Sequence, residues 1–270
     1  MFTSSKTFSK KAALSAIQGS ILAYADEMTI KESCEPAGWK IHFIRSAEDS
    51  GVDVQCFIAE GPDDFHVFFR GTEGIDKKAP FWNIKAAVLD WWQNFKMSRV
   101  AWAPANDRLG QAHKGFVEEF DAVQGKLIDV LSRDIEAIEK PVTAAGHSKG
   151  AALATLLADY LDQQFHEVTS VYTFGSPRVF DREAANTYKN NLGAITYRFF
   201  KSNDIVPRTP LGFRFKHVGI PIYVRQYAGY IFEVNAWLAT AARVVSYSPG
   251  DFGGDHDAHG YHTSIMKHRD

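Results

Sequence analysis

Cysteine is scarce in this chain, and its scarcity excludes a fold that is held together by disulfides. Cys34 and Cys56 are the only two cysteines among 270 residues. They could pair, but a chain of this length buries enough apolar surface to fold without such a bond. Their spacing also lacks the paired arrangement of cysteine metal ligands. The redox environment of the protein therefore stays open.

An excess of either charge is also missing. Lys and Arg number 30 against 32 Asp and Glu, which gives a formal net charge of −2. Because the sequence has no basic stripe with interleaved aromatic residues, it excludes a nucleic-acid partner. A long apolar stretch, residues 228–247, contains Glu233, Asn235 and Arg243 and is too polar to span a membrane. We therefore expect a soluble chain without a transmembrane segment, and its oligomeric state stays open.

Repeats, low-complexity segments and linkers rich in Pro, Gly or Ser are absent as well, so we expect one domain over residues 1–270. Strand and helix patterns alternate, which predicts an α/β fold with a mostly parallel central sheet flanked by helices. The predicted elements are a hairpin of residues 52–60 and 65–70, a helix over 113–133, strands at 168–174 and 194–200, and a helix that Asp181 caps and that ends before Gly193.

The N-terminal segment has two interpretations. Residues 12–24 follow three lysines and partly resemble the apolar region of a secretion signal. Polar residues at positions 18 and 20 interrupt that region. Apolar residues also recur at the spacing of an amphipathic helix, namely Ala13, Leu14, Ile17, Ile21 and Leu22. The pattern favours a structural helix, and a secreted or a cytoplasmic location both remain open.

The pentapeptide Gly146-His147-Ser148-Lys149-Gly150 stands between a short apolar run, residues 141–145, and an amphipathic segment, residues 151–161. A serine on a tight turn between a strand and a helix is exposed above the sheet, and the flanking glycines avoid a collision. The N-terminus of the helix would offer N–H groups to an oxyanion. This context favours a nucleophilic serine over a glycine-rich turn that contains a serine by chance. We expect His147 to point away from the serine and to serve in packing.

A carboxylate and a histidine-rich segment follow the serine. Asp204 comes just after the predicted strand 194–200, on the sheet edge where Ser148 is also expected. The segment 255–262 contains His256, His259 and His262. An imidazole that takes the serine proton, with a carboxylate to orient it, makes a serine hydroxyl nucleophilic, and the order Ser, Asp, His is that of α/β-hydrolases. Two alternatives are that Asp204 is only a turn residue and that Asp257 and the histidines bind a metal, although their spacing matches no tetrahedral site.

In several segments the chain resembles the class 3 lipases, a family of fungal-type lipases and bacterial relatives within the α/β-hydrolase superfamily. Each segment is a weak signal, but their joint occurrence in the right order is a strong one. The segments are Phe68-Phe69-Arg70-Gly71-Thr72, the Asp-Trp segment 90–95, His113-Lys114-Gly115-Phe116, the pentapeptide 146–150, the strand end 173–179, the acid loop 203–207 and His217-Val218-Gly219.

The resemblance implies a set of site residues. Ser148 would be the nucleophile, Asp204 the acid and His256 the base, with His259 as the alternative base. In bacterial relatives the catalytic histidine follows an aspartate and precedes a tyrosine by five positions, as His256 precedes Tyr261. The oxyanion hole would consist of the N–H groups of Thr72 and Lys149. His113 and His217 are interpreted as structural.

Lys149 departs from the pattern of the family, in which many members carry an aliphatic residue after the nucleophile. Only its backbone N–H is required for catalysis. A cation near the ester would nevertheless alter the substrate preference. The second departure is the length of residues 73–89, which is long for the family.

The resemblance implies a serine hydrolase that cleaves carboxylic esters, most simply a triacylglycerol lipase that acts through an acyl-enzyme at a lipid–water interface without a cofactor or a metal. A phospholipase A1 or another carboxylesterase would use the same chemistry on a different ester. A peptidase or a thioesterase on the same fold is a further alternative, and so is a protein that binds lipid surfaces without turnover.

Residues 73–89 predict a lid. Apolar residues between Thr72 and Trp91 have charged residues among them, as in a segment that covers Ser148 in water and lays its apolar face on lipid. The alternative is a core helix. We expect hydrolysis to rise steeply when an aggregating ester passes from monomers to aggregates, measured as initial rate against substrate concentration. A smooth saturation curve through the aggregation point would contradict a lid.

Overall fold

The computed structural model describes residues 1–72, 98–104, 110–132, 140–164, 166–201, 204–210, 214–225, 229–232 and 256–268. Within these residues eight strands form one sheet in the order β1-β2-β3-β6-β7-β8-β9-β10, and β4 pairs with β5 beside it. The strands are β1 (Lys40–Arg45), β2 (Gln55–Glu60), β3 (Phe65–Phe69), β4 (Arg99–Ala101), β5 (Gln111–His113), β6 (Val142–His147), β7 (Val168–Phe174), β8 (Thr196–Lys201), β9 (Ile220–Val224) and β10 (Tyr230–Ile231).

The centre of the sheet is parallel and its two ends are antiparallel. The strands β3, β6, β7, β8 and β9 run side by side in one direction. The hairpin partner β2 and then β1 extend the sheet on one side, and β10 pairs antiparallel with β9 on the other. The predicted mostly parallel sheet flanked by helices is confirmed. Because the parallel strands all end at the same edge, the loops after β3, β6, β7 and β8 meet there.

Helices cover both faces of the sheet. In the described part of the chain these are α1 (Lys10–Leu22), α2 (Glu27–Cys34), α3 (Lys114–Leu131), α4 (Lys149–Gln163), α5 (Arg182–Leu192) and α6 (Ala258–Met266). One buried cluster holds the helices from the middle of the chain, α3, α4 and α5, with Val67 and Phe69 of β3. The other holds α1, α2 and α6 with Phe68 of the same strand. Successive side chains of β3 thus belong alternately to the two clusters on opposite faces of the sheet.

Most local predictions agree with the structure. The predicted hairpin forms from β2 and β3, with Phe57 opposite Phe68. The N-terminal pattern forms α1, as expected for a structural helix. Asp181 caps α5, since its carboxylate accepts the Ala184 N–H at 2.9 Å, and the helix ends before Gly193. The strand expected from residue 194 begins at Thr196, because Gly193–Ile195 form one turn of 3₁₀ helix.

Several predictions lie outside the described residues, namely the lid, the Asp-Trp segment 90–95 and most of the apolar stretch 228–247. Among the helices of the described ranges, none combines the length and the hydropathy that a bilayer crossing requires. The two cysteines do not pair. Cys34 belongs to one core and Cys56 to the other, on opposite faces of the sheet, so both remain buried thiols.

Gly19 lets α1 pack closely against the sheet. A Cβ atom at this position would overlap the ring of Phe68. That ring is fully buried and packs against Phe2 and Phe57 at centroid distances of 4.7 and 5.0 Å, so it has little room to yield.

Gly19→Ala should therefore lower the free energy of unfolding by about 1–3 kcal/mol through overpacking. Urea unfolding followed by circular dichroism measures the change. The matched control is Gly125→Ala in α3, where a Cβ atom would meet nothing within 4 Å. The control should stabilise the protein by roughly 0.5–1 kcal/mol because alanine favours a helix interior. Equal stability of the two variants would contradict this packing.

Candidate active site

The turn between β6 and α4 holds Ser148 in a backbone conformation that few side chains adopt. Its φ is 59° and its ψ is −127°, and it is the one non-glycine residue with positive φ in the described part of the chain. The two glycines permit this turn. A Cβ atom on Gly146 would overlap the carbonyl of Gly150, and one on Gly150 would overlap the carbonyl of Phe69. The predicted strand–turn–helix arrangement around the serine is therefore present, with glycine required at both positions.

The structure brings Ser148, His256 and Asp204 together at the carboxyl edge of the sheet. The hydroxyl of Ser148 lies 2.8 Å from Nε2 of His256. Nδ1 of His256 lies 2.9 Å from each carboxylate oxygen of Asp204. Because a carboxylate only accepts, Nδ1–H donates to Asp204, and Nε2 is left to accept the serine proton. Asp204 is only 1 % exposed, whereas Ser148 and His256 are each 8 % exposed.

Two further groups hold the carboxylate of Asp204. Its Oδ1 accepts the N–H of Val206 at 2.9 Å, which is the turn role that the sequence left as an alternative. Its Oδ2 accepts the hydroxyl proton of Tyr261 at 2.7 Å, and that hydroxyl accepts the N–H of Lys201 at 3.1 Å. Sequence reasoning used Tyr261 only for its spacing from His256, so its bond to Asp204 was missed.

Gly175, at the end of β7, makes room for the pair of Asp204 and His256. Its φ is +61°, and a Cβ atom there would lie 2.8 Å from Oδ2 of Asp204 and 3.1 Å from the ring of His256. Sequence reasoning took this glycine only as the end of a strand. The close approach of the acid and the base is what requires glycine here.

His147 contacts the base rather than only filling space. Its Nε2 lies 2.7 Å from the backbone carbonyl of His256, and its Nδ1 lies 3.0 Å from the hydroxyl of Tyr24. Burial lowers the pKa of His147 well below its usual value, and the nearby His256 adds to this effect. The expectation of a packing role was correct about burial but missed both hydrogen bonds.

The segment after β3 lies against the serine turn. A Cβ atom on Gly71 would come within 3.2 Å of Cβ of Ser148 and within 2.9 Å of the carbonyl of His147. The next residue is Thr72, whose Oγ1 is buried without a hydrogen-bond partner among the described residues. A buried hydroxyl next to Ser148 that finds no acceptor or donor in the described part of the chain is suited to bind a ligand oxygen. The two residues expected for the oxyanion hole, Thr72 and Lys149, thus lie on segments that meet at Ser148.

Sequence reasoning placed the Lys149 cation near the ester, whereas in the structure its ammonium group binds other groups of the protein. The side chain is 6 % exposed, and its Nζ donates to the carbonyl of Asp53 at 2.8 Å and to Oε1 of Glu119 at 3.2 Å. Burial raises the pKa of Glu119 to about 7, and the Lys149 ammonium opposes this rise. The ammonium group is therefore bound inside the protein, and its expected influence on substrate preference stays a prediction.

The remaining histidines lie apart from the triad. His217 contacts the carbonyl of Pro207 at 2.6 Å, and burial lowers the pKa of His113 to about 4, so both fit the structural role expected of them. His259 is exposed on α6, and His262 lies 3.3 Å from Gln18. In the part of the chain that the structure describes, no three His, Cys, Asp or Glu side chains converge on a metal position.

Comparison with known proteins shows what this chain is similar to. The family model "Lipase (class 3)" matches residues 67–213. A lipase of Rhizomucor miehei is 29 % identical over 175 residues, which cover 62 % of this chain and 44 % of that protein. A triacylglycerol lipase of Ricinus communis is 25 % identical over 265 residues, which cover 77 % of this chain and 48 % of that protein. The chain thus spans less than half the length of these two relatives.

A solved structure matches more completely. The crystal structure of a mono- and diacylglycerol lipase from Aspergillus oryzae has a TM-score of 0.68 at 20 % identity, and the match covers 96 % of both chains. At this identity the similarity shows the fold, which is that of the α/β-hydrolases.

The geometry predicts that Ser148 reacts with a fluorophosphonate probe and that His256 is the base. His256→Ala should slow labelling by about 10³-fold or more, because Nε2 of His256 is the one acceptor that the described residues offer to the serine proton. His259→Ala should label like the wild type. In-gel fluorescence against time measures both rates, and thermal melting checks the folding of each variant. Normal labelling of His256→Ala beside an unreactive His259→Ala would assign the base to His259.

Proposed function

The chain belongs to the class 3 lipase family, and from that premise we propose that it is a serine hydrolase that cleaves carboxylic esters, acting as a triacylglycerol lipase through an acyl-enzyme. One observation carries the proposal, namely the unbroken chain of hydrogen bonds from Ser148 through His256 to Asp204. We propose that these three residues are catalytic and that residues 1–270 form a single domain.

The first half of the reaction forms the acyl-enzyme. His256 takes the proton of Ser148 at Nε2 while Oγ attacks the ester carbonyl. The negative charge of Asp204 stabilises the imidazolium that results, and its two hydrogen bonds to Nδ1–H keep the ring in the required tautomer. His256 then gives the proton to the alkoxy oxygen, the bond to the alcohol breaks, and the acyl group remains on Ser148. Water hydrolyses this ester by the same route.

The oxyanion hole consists, in this proposal, of the N–H groups of Lys149 and Thr72. Lys149 is the first residue of α4, so its N–H is one of the groups that a helix N-terminus leaves without an internal partner. The buried hydroxyl of Thr72 supplies a further donor. Each such donor contributes about 3–4 kcal/mol to stabilisation of the transition state.

An acylglycerol at a lipid–water interface is the proposed substrate. The names of the relatives, a triacylglycerol lipase and a mono- and diacylglycerol lipase, support this class. The triad alone fits any carboxylic ester, because it acts on the carbonyl group and not on the alcohol. A phospholipase A1, another carboxylesterase and a lipid-binding protein without turnover are therefore outcomes that the experiment must separate.

The experiment measures hydrolysis of p-nitrophenyl esters from acetate to palmitate, of emulsified triacylglycerol and of phosphatidylcholine. We expect release of fatty acid from triacylglycerol and a preference for acyl chains longer than acetate. Ser148→Ala should abolish turnover. The matched control is Ser176→Ala, which removes another buried serine hydroxyl, one that donates to the carbonyl oxygen of Pro177 at 3.0 Å.

Each alternative gives a different result in this panel. Release of fatty acid from phosphatidylcholine but not from triacylglycerol would make the protein a phospholipase. Cleavage of acetate alone would make it a short-chain esterase. Binding to lipid vesicles without turnover of any ester, in a protein whose Ser148 does not label, would overturn the proposed enzyme.

A further inference from the structure

A second histidine stands directly behind the catalytic base. His147 is 5 % exposed, and its ring lies against the ring of His256 at a centroid distance of 4.7 Å and an interplanar angle of 33°. Its Nε2 lies 2.7 Å from the carbonyl oxygen of His256. Nothing in the acyl transfer above uses this residue, although it contacts both the ring and the backbone of the base.

The hydrogen bonds of His147 determine its tautomer. A carbonyl oxygen can only accept, so Nε2 must carry the proton and donate it to His256. The other nitrogen of a neutral ring is then an acceptor, and the Tyr24 hydroxyl at 3.0 Å from Nδ1 is its donor. Burial is the main reason why the pKa of His147 lies well below its usual value, and positive charge on the nearby His256, Lys201 or His259 would lower it further. The ring therefore stays neutral when His256 becomes an imidazolium.

We propose that His147 is a positioning residue for His256, and that Tyr24 holds His147 in place for this task; the inference rests on the proposed function. Asp204 fixes the Nδ1 side of the catalytic ring. The bond from Nε2–H of His147 fixes the backbone of the same residue, and the ring of His147 supports one face. His147 and Asp204 thus hold His256 from two sides.

Tyr24 also contacts the segment after β3, residues 71–72, which contains the proposed oxyanion donor Thr72. It follows α1 in the chain, and a Cβ atom on Gly71 would overlap its hydroxyl. The hydroxyl of Tyr24 therefore sits between His147 on the serine turn and Gly71 next to Thr72. One hydroxyl contacts the two segments that carry the nucleophile and the proposed oxyanion donor. A small displacement of reacting groups costs about 10²-fold in rate, which gives the scale of the expected effect.

Three substitutions separate hydrogen bonding from packing. His147→Phe keeps an aromatic ring but removes both hydrogen bonds. His147→Gln keeps an N–H donor near the position of Nε2. Tyr24→Phe removes a single oxygen. The matched control is His66→Phe, which removes another buried histidine that is 1 % exposed and bonded to Asp64 at 3.0 Å, away from the triad.

The measurements are kcat and KM on the best ester of the panel and the fluorophosphonate labelling rate of Ser148. For His147→Phe we expect kcat and the labelling rate to fall about 10- to 100-fold with KM within about twofold of the wild type, since the lost contacts act on the base and not on the substrate. His147→Gln should recover at least a third of the wild-type kcat. Tyr24→Phe should lower kcat about 3- to 10-fold, because it releases His147 only indirectly. His66→Phe should leave both parameters unchanged.

Wild-type kcat and labelling in His147→Phe would overturn the inference while leaving the proposed function intact. A fall of kcat in His147→Phe that His147→Gln does not relieve would also overturn it, because packing would then be the role. If His147→Phe does not fold, Tyr24→Phe decides, and a wild-type kcat in that variant overturns the inference. Failure of the proposed function has a different signature, since wild-type protein would then turn over no ester and leave Ser148 unlabelled.

Discussion

The backbone conformation of Ser148 is the constraint around which the other groups of the site are arranged. A non-glycine residue with φ of 59° and ψ of −127° is strained by about 1–3 kcal/mol. The strain persists because β6 and α4 are both buried and approach each other through Gly146 and Gly150, so neither element can move to relax the turn. This turn aims the hydroxyl away from the sheet, and it places the start of α4 beside the end of β3. Every other part of the site is arranged around that fixed point.

The parallel strands bring the other parts to that point. Because β6, β7 and β8 end at one edge, Ser148, Gly175 and Asp204 become neighbours without any long loop having to fold over the sheet. The proposed base comes from a different direction, since His256 lies two residues before α6, which packs on the same face of the sheet as α1. Tyr261 connects α6 to the edge of the sheet that carries Asp204. It belongs to α6, and its hydroxyl forms hydrogen bonds with Asp204 and with the backbone of β8. The last helix is therefore anchored to the same carboxylate that orients its histidine.

The features that the sequence could predict are those decided by a few adjacent residues. The serine turn, the hairpin and the cap at Asp181 follow from glycine, turn residues and apolar periodicity over short windows. The identity of the triad required the order of three distant segments and a family resemblance. The direction of the Lys149 side chain and the partners of His147 could not be predicted, because they depend on Glu119, Tyr24 and other residues that only the folded chain brings near. Local sequence patterns predict secondary structure. They do not predict which buried polar groups form hydrogen bonds with each other.

The packing of α6 on α1 determines when, during synthesis of the chain, the residues of the site can come together. His256 follows Asp204 by 52 residues and Ser148 by 108, and α6 is held on α1, where Lys10 donates to the carbonyl of His268. A ribosome therefore makes Ser148, Asp204 and the helix α1 well before it makes His256. The growing chain can already hold the described sheet and the serine turn while the proposed base is still missing. In the proposed mechanism the site becomes complete only at a late step, when the newly made α6 docks on α1.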